Sequence, residues 1–220
     1  LGSLPLLSWA LRPYNCHCGI DHSVHSAINY QQIEALRYLL DSSTTQPLLH
    51  VPCGSQMPLQ KALNMTHADG DIGFKMSHML LARGANVDAT DAEGEAAIHH
   101  ACRTCRMPAV QLLLQHGADV NLVSLGGVTP LHLVCKRGSF AAEDLAIIEE
   151  LLAHGAAPAL RDAYGLRPFD YINMPSVTRT VEPFRLIMCN MLAMAEQQVV
   201  QDERWHARRS CMFLRTRPES

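Results

Sequence analysis

The run Gly84-Ala85-Asn86-Val87-Asp88 returns as Gly117-Ala118-Asp119-Val120-Asn121, an offset of 33 residues. A second motif keeps the same phase. His99, in Ala97-Ile98-His99-His100-Ala101, and His132, in Thr129-Pro130-Leu131-His132-Leu133-Val134, also stand 33 residues apart. Two motifs in phase at one such period restrict the chain to a repeat architecture. A unit this short cannot bury a core of its own, so each copy must stack on its neighbours.

The motif residues have local reasons. Pro130 presets φ at a first helical turn, where a missing N–H costs nothing. Thr129 is placed to cap that turn. Leu131 and Val134 point into the stack, and Ile98, Ala101, Leu112, Leu113 and Leu114 supply the faces buried against neighbours. Gly117 ends a helix where a positive φ is needed.

Weaker copies flank these. His22-Ser23-Val24-His25-Ser26-Ala27, Met57-Pro58-Leu59-Gln60-Lys61-Ala62 and Asp162-Ala163-Tyr164-Gly165-Leu166-Arg167-Pro168-Phe169-Asp170 open further units. With T-P-L-H-x-A followed by G-A-D/N-V, the pattern resembles the ankyrin repeat. The resemblance implies an all-α ankyrin-repeat solenoid of paired antiparallel helices joined by short hairpin loops. It covers residues 21–198, with repeats near 21–53, 54–90, 91–123, 124–161 and 162–198. Residues 1–20 read as an N-terminal segment cut short, and 199–220 as a basic C-terminal tail.

Two repeats depart from the common length. The second and fourth carry five or six extra residues between their helices, near Thr66–Gly73 and Ser139–Ala146. Asp69-Gly70-Asp71 reads as a loop, whereas Phe140 to Ala146 is open to extending a helix. Such insertions either widen a docking face or are tolerated surface drift. Phe184, Ile187, Met188, Met191, Leu192 and Ala195 fall on one helical face after Pro183. That face reads as the second helix of the fifth repeat, covering the stack end. In the tail, Arg204, Arg208, Arg209, Arg215 and Arg217 are partly offset by Asp202, Glu203 and Glu219, which suits a solvated segment.

Composition removes several functions. The net charge is −3, from 18 Lys and Arg against 21 Asp and Glu. That argues against nucleic acid held by charge. No apolar run approaches the roughly 18 to 20 residues of a membrane helix. Eight scattered cysteines suit a reducing compartment, the cytoplasm or alternatively the nucleus. Cys16, Cys18, His22 and His25 contain zinc-ligand types, but not at the usual spacing, and His25 holds a motif position. Cys102-Arg103-Thr104-Cys105 lies at the end of a first helix rather than after a strand, so packing is favoured over redox chemistry. His25, His99 and His132 recur in register and read as hydrogen bonding across repeats. His116 and His154 stand before helix-ending glycines, within reach of helix carbonyls. No nucleotide, zinc-protease or nucleophile-elbow motif is present. The expectation is no enzyme, no cofactor, no metal and no small-molecule substrate.

The function expected is a protein-binding scaffold, and its partner-binding residues follow from the ankyrin resemblance. It places partners on the hairpin tips and the inner face of the first helices. Carried over, this gives Glu93, Glu95 and Arg103 in the third repeat, with Ala92 and Thr104 beside them. It gives Leu125, Val128, Lys136 and Arg137 in the fourth, and Tyr164 and Leu166 in the fifth. If exposed together, Leu125, Val128, Tyr164 and Leu166 make an apolar interface strip near Arg103, Lys136 and Arg137. Equally, Leu125 and Leu166 pack between hairpins. The alternative function is the substrate-recognition arm of a larger ubiquitin-ligase adaptor or signalling protein. An enzyme with its catalytic part elsewhere and a redox or zinc module stand behind these. One outcome follows from sequence alone: Gly117→Val destabilises the stack, because positive φ is costly for a β-branched residue, and thermal unfolding reads this as a lowered midpoint.

Overall fold

Pro58, Pro130 and Pro168 each begin a helix, after the extended cap residues Met57, Thr129 and Arg167. Their fixed φ suits that position and no intrahelical bond is lost. The computed structural model describes residues 23–41, 49, 52, 56–65, 70–138, 141–173 and 185–200. Among them the helices are α1 (Ser23–Asn29), α2 (Ile33–Asp41), α3 (Pro58–Asn64), α4 (Gly70–Ala82), α5 (Ala97–Arg103), α6 (Met107–Gln115), α7 (Pro130–Arg137), α8 (Ala142–Ala153), α9 (Pro168–Ile172) and α10 (185–200). No strand occurs among the described residues.

Helices pair within the first four repeats, α1 with α2, α3 with α4, α5 with α6 and α7 with α8. The first helices then stack in a row, α1, α3, α5, α7, α9. Behind them α2 packs on α4 and α6 on α8. This is an all-α ankyrin-type solenoid. Ile28, Leu36, Met76, Leu80, Ile98, Leu113, Leu131, Ile147, Ile148, Leu151 and Ile172 are fully buried between its layers. Each such side chain contributes about 1.5–3 kcal/mol of burial. Gly117 has φ +78° with open space where a Cβ would stand, so its requirement is purely conformational.

The inserted segments behave differently from one another. The helix α4 already contains Gly70 and Asp71. The expected loop is therefore helical there, and 66–69 lie outside the described residues. In the fourth repeat α8 starts at Ala142, so residues 142–146 of the insertion are helical, and 139–140 lie outside the described residues. In α10, Met188 and Leu192 are fully buried as the periodicity demands, but Ile187 is exposed. Pro183, Phe184, the segments 1–22 and 201–220, and with them Cys16, Cys18 and His22, lie outside the described residues.

The motif side chains tie one repeat to the next. His99 Nδ1 accepts from the Ala96 amide at 3.1 Å, and its Nε2–H donates to the Val128 carbonyl at 3.1 Å. His132 Nδ1 accepts from the Thr129 amide at 3.2 Å, and its Nε2–H donates to the Leu166 carbonyl at 3.1 Å. His25 Nε2 reaches the Gln56 carbonyl at 3.2 Å. In the second repeat an amide does the same work. Gln60 Oε1 accepts from the Met57 amide at 2.9 Å, and Nε2 donates to the Glu95 carbonyl at 2.5 Å.

Both imidazoles are neutral in this arrangement, because Nδ1 must accept. Burial is the main cause that holds His99 and His132 below the ordinary value of 6.5, against the raising effect of the Val128 and Leu166 carbonyls. The unfolded chain takes up protons at these positions near 6.5, the folded chain only at lower pH. Their contribution to stability is therefore complete above 6.5 and falls as pH drops below it. The carboxyls of Asp91 and Asp162 are held below 3.8, so their loss comes later. Denaturation midpoints at about pH 7.5, 6 and 5 should decline with acid in the wild type. The His99→Gln/His132→Gln double variant, built on the example of Gln60, should show a flatter slope. An equal slope would mean that the acid sensitivity lies elsewhere.

Candidate functional site

Each of the hairpins that open the third, fourth and fifth repeats is closed by its first residue. Asp91 Oδ1 accepts from the amides of Glu93 and Glu95, both at 2.9 Å. Asp162 Oδ1 accepts from those of Tyr164 at 2.9 Å and Leu166 at 3.0 Å. In the fourth repeat Ser124 Oγ accepts from the Val128 amide at 3.3 Å. Gly94, Gly127 and Gly165 take the left-handed turn position at φ +73°, +70° and +75°. A Cβ on Gly94 would also lie 2.9 Å from the Leu125 nitrogen. That close approach reflects a backbone bond between hairpins, Leu125 N–H to the Glu93 carbonyl at 3.1 Å. Ala163 N–H donates likewise to the Gly126 carbonyl at 2.9 Å.

These bonds fix where the tip residues point. Leu125 and Tyr164 are each 81% exposed. Val128 and Leu166 return to the stack, half-buried and packed against the core. The expected apolar strip of four is thus two exposed tips and two anchoring residues. The physical reason is the His99 and His132 bonds, which draw the carbonyls of Val128 and Leu166 inward. The suggestion that Leu125 packs between hairpins is likewise corrected by its exposure.

The charged candidates separate in the same way. Glu93 is exposed, but Glu95 is buried, with its Oε1 engaged by Arg103. Arg137 lies 3.7 Å from Asp144, an acid that is almost wholly buried. Asp144 also accepts from the Ala141 amide at 3.1 Å and from Cys105 Sγ–H at 2.9 Å. Lys136 Nζ sits 5.6 Å from the centroid of the Tyr171 ring, which is a cation–π distance. Arg103, Lys136 and Arg137 remain exposed on neighbouring helices α5 and α7. Each already has a partner within the fold.

A latch that the repeat motif does not mark runs beneath the hairpins. His100 Nε2 lies 3.0 Å from Asp91 Oδ2. In the fifth repeat the Tyr171 hydroxyl donates to Asp162 Oδ2. Burial would raise both carboxyls, but these side-chain bonds and the hairpin amides hold them below 3.8. Burial, then Asp162, pushes the Tyr171 hydroxyl up to about 12. The shared spacing of nine residues, Asp91 to His100 and Asp162 to Tyr171, is the sequence signal that marks the latch.

The remaining candidates are structural in their surroundings. Burial, then Asp144, pushes the Cys105 thiol up to about 12, and burial pushes Cys102 further still. That is the reverse of the thiolate a redox pair requires. His154 Nδ1 lies 2.9 Å from the Glu150 carbonyl at the end of α8. His116 meets His78 edge-on, with centroids 6.4 Å apart. None of the described helices is long and apolar enough to cross a membrane.

A family model for ankyrin repeats matches residues 65–162 in three copies. The chain is similar to the B-cell lymphoma 3 protein homolog of Mus musculus, 29% identical over 148 residues, which cover 66% of this chain and 31% of that protein. It is similar to Regulatory protein NPR5 of Arabidopsis thaliana, 26% identical over 197 residues, covering 88% of this chain and 34% of that protein. Ankyrin repeat and SOCS box protein 16 of Mus musculus is 32% identical over 100 residues, covering 42% of this chain and 21% of that protein. The chain therefore spans about a third of the length of the first two relatives and about a fifth of the third.

The tip geometry sets an outcome for stability. Leu125→Ala and Tyr164→Ala should each shift unfolding free energy by less than about 0.5 kcal/mol. Leu166→Ala should cost about 1–2 kcal/mol, below the range for a fully buried leucine. Urea denaturation of the three variants checks this. A loss at the tips equal to that at Leu166 would mean that the tips carry packing.

Proposed function

This chain is an ankyrin-repeat protein, and from that premise we propose that it is a non-catalytic scaffold that binds a protein partner through the concave side of the solenoid. The observation that carries the reading is the pair of exposed apolar tips, Leu125 and Tyr164, on hairpins bonded to one another. A rigid backbone that holds large apolar side chains in water offers an interface centre at low entropic cost. Val128 and Leu166 support the tips from below. Glu93 is the charged residue at the tips, and Arg103, Lys136 and Arg137 extend the contact along the first helices as its polar part. Glu95 serves by holding Arg103 rather than by meeting the partner. No cofactor, small-molecule substrate, nucleic acid or membrane belongs to this function. The free thiols of Cys102, Cys105, Cys135 and Cys189 support a cytoplasmic or nuclear setting.

The second reading is the substrate-recognition arm of a larger ubiquitin-ligase adaptor. It is supported by the likeness to a relative named for its SOCS box, and by the small share of each relative that the chain spans. In both readings the tips are the contact.

The experiment is proximity capture from native cell extract with wild type and the Leu125→Ala/Tyr164→Ala variant, with circular dichroism confirming that both are folded. A protein lost at least tenfold from the folded variant supports docking at the tips. If ubiquitin-ligase subunits remain in both captures, the adaptor reading gains. An unchanged partner set moves docking away from the hairpins.

A further inference from the structure

We propose that the hairpin of the third repeat holds a divalent transition-metal cation of the Zn2+ class between Asp91 Oδ2, Glu95 Oε2 and His100 Nε2. The three atoms lie within 4.8 Å of one another. His100 Nε2 stands 3.0 Å from Asp91 Oδ2 and 3.7 Å from Glu95 Oε2. Tetrahedral zinc with bonds of about 2.0–2.2 Å separates its ligand atoms by about 3.3–3.6 Å. The two measured edges bracket that value. Three protein ligands of one imidazole and two carboxylates also match the donor types zinc accepts, with a fourth position left for water.

A second observation is independent of the clustering. Glu95 Oε2 is buried and has no hydrogen-bond partner, on a side chain only 10% exposed. Its other oxygen is held by Arg103, which turns Oε2 towards His100. A buried carboxylate oxygen without a donor is costly, and a cation on its open side removes that cost. The other ligands are held in place as well. Asp91 Oδ1 is occupied by the Glu93 and Glu95 amides, leaving Oδ2 directed inward. His100 Nδ1 faces the side-chain amide of Asn64 at 3.4 Å. Turning that amide presents its oxygen to Nδ1–H, the outer support a metal-bound imidazole needs. The two carboxylates outweigh Arg103 by one negative charge while His100 is neutral. The cation takes the place of the proton between His100 Nε2 and Asp91, and that proton moves to Nδ1.

The fifth repeat shows that the latch itself does not require these ligands. There Tyr171 stands in for His100 and Leu166 for Glu95, yet Asp162 still closes the hairpin and is still bonded from below. The Tyr171 arrangement supplies the control variant. His100→Tyr keeps an aromatic donor on Asp91 and removes the nitrogen ligand. Glu95→Gln keeps the shape and removes the carboxylate.

The full chain, freed of metal by chelation, is titrated with Zn2+ by calorimetry and with Co2+ by visible absorption. The expected result is one ion per chain and a Co2+ spectrum of nitrogen and oxygen ligation. His100→Tyr and Glu95→Gln should each weaken Zn2+ binding at least tenfold. Metal-free His100→Tyr should melt close to metal-free wild type. Absence of Zn2+ binding at about 100 μM, unchanged affinity in either folded variant, or a thiolate charge-transfer band on Co2+ overturns the proposal. If His100→Tyr does not fold, Glu95→Gln decides alone.

Discussion

In the second, third and fourth repeats one side chain holds the first turn of its own helix and reaches across to the next hairpin. His25, Gln60, His99 and His132 all donate to a carbonyl of the repeat that follows. For Gln60, His99 and His132 the same group also accepts an amide at its own helix start. The task needs an acceptor and a donor on one small planar group in a buried place. A neutral imidazole meets that need, and so does a primary amide. A carboxylate meets only half of it. Asp170, at the equivalent place in the fifth repeat, accepts from the Arg167 amide at 2.8 Å and otherwise pairs with the Arg167 side chain.

The geometry of the hairpins descends from this link. Drawing the carbonyls of Val128 and Leu166 inward makes those two residues part of the stack. The turn then has to project Leu125 and Tyr164 into water, and the bonds between hairpins keep them there. Charges follow the same division. Glu95 at its hairpin and Asp144 at the start of α8 are buried, and basic residues on the first helices spend their charge on them. What remains at the surface is a pair of apolar tips and a compensated polar part along the first helices. Such compensation favours orientation over strong long-range attraction.

Much of this was legible beforehand because the repeat imposes its own grammar. A period of 33 placed Pro130, His132 and Gly117 in their roles, and each role depends on local stereochemistry or on the nearest neighbour in the stack. The division among the candidate site residues was not legible. Val128 and Leu166 look as apolar as Leu125 and Tyr164, and only their place in the turn separates them. Glu93 and Glu95 are two residues apart and chemically alike, yet one is exposed and the other buried against Arg103 and His100. The repeat motif does not mark the Asp91–His100 pairing, because His100 sits beside the motif histidine. Its nine-residue spacing from Asp91 gains meaning beside Asp162 and Tyr171.

The sequence by itself determined the architecture and the residues that bind one unit to the next. These depend on period, on proline and glycine backbone preferences, and on apolar faces, all of which are written along the chain. Tertiary structure alone decided which polar groups near the hairpins are left to water and which are buried. That choice depends on distances between residues of different repeats, such as Arg106 to the Leu63 carbonyl or Asn64 to His100. No local pattern encodes those distances, because they exist only once the repeats have stacked.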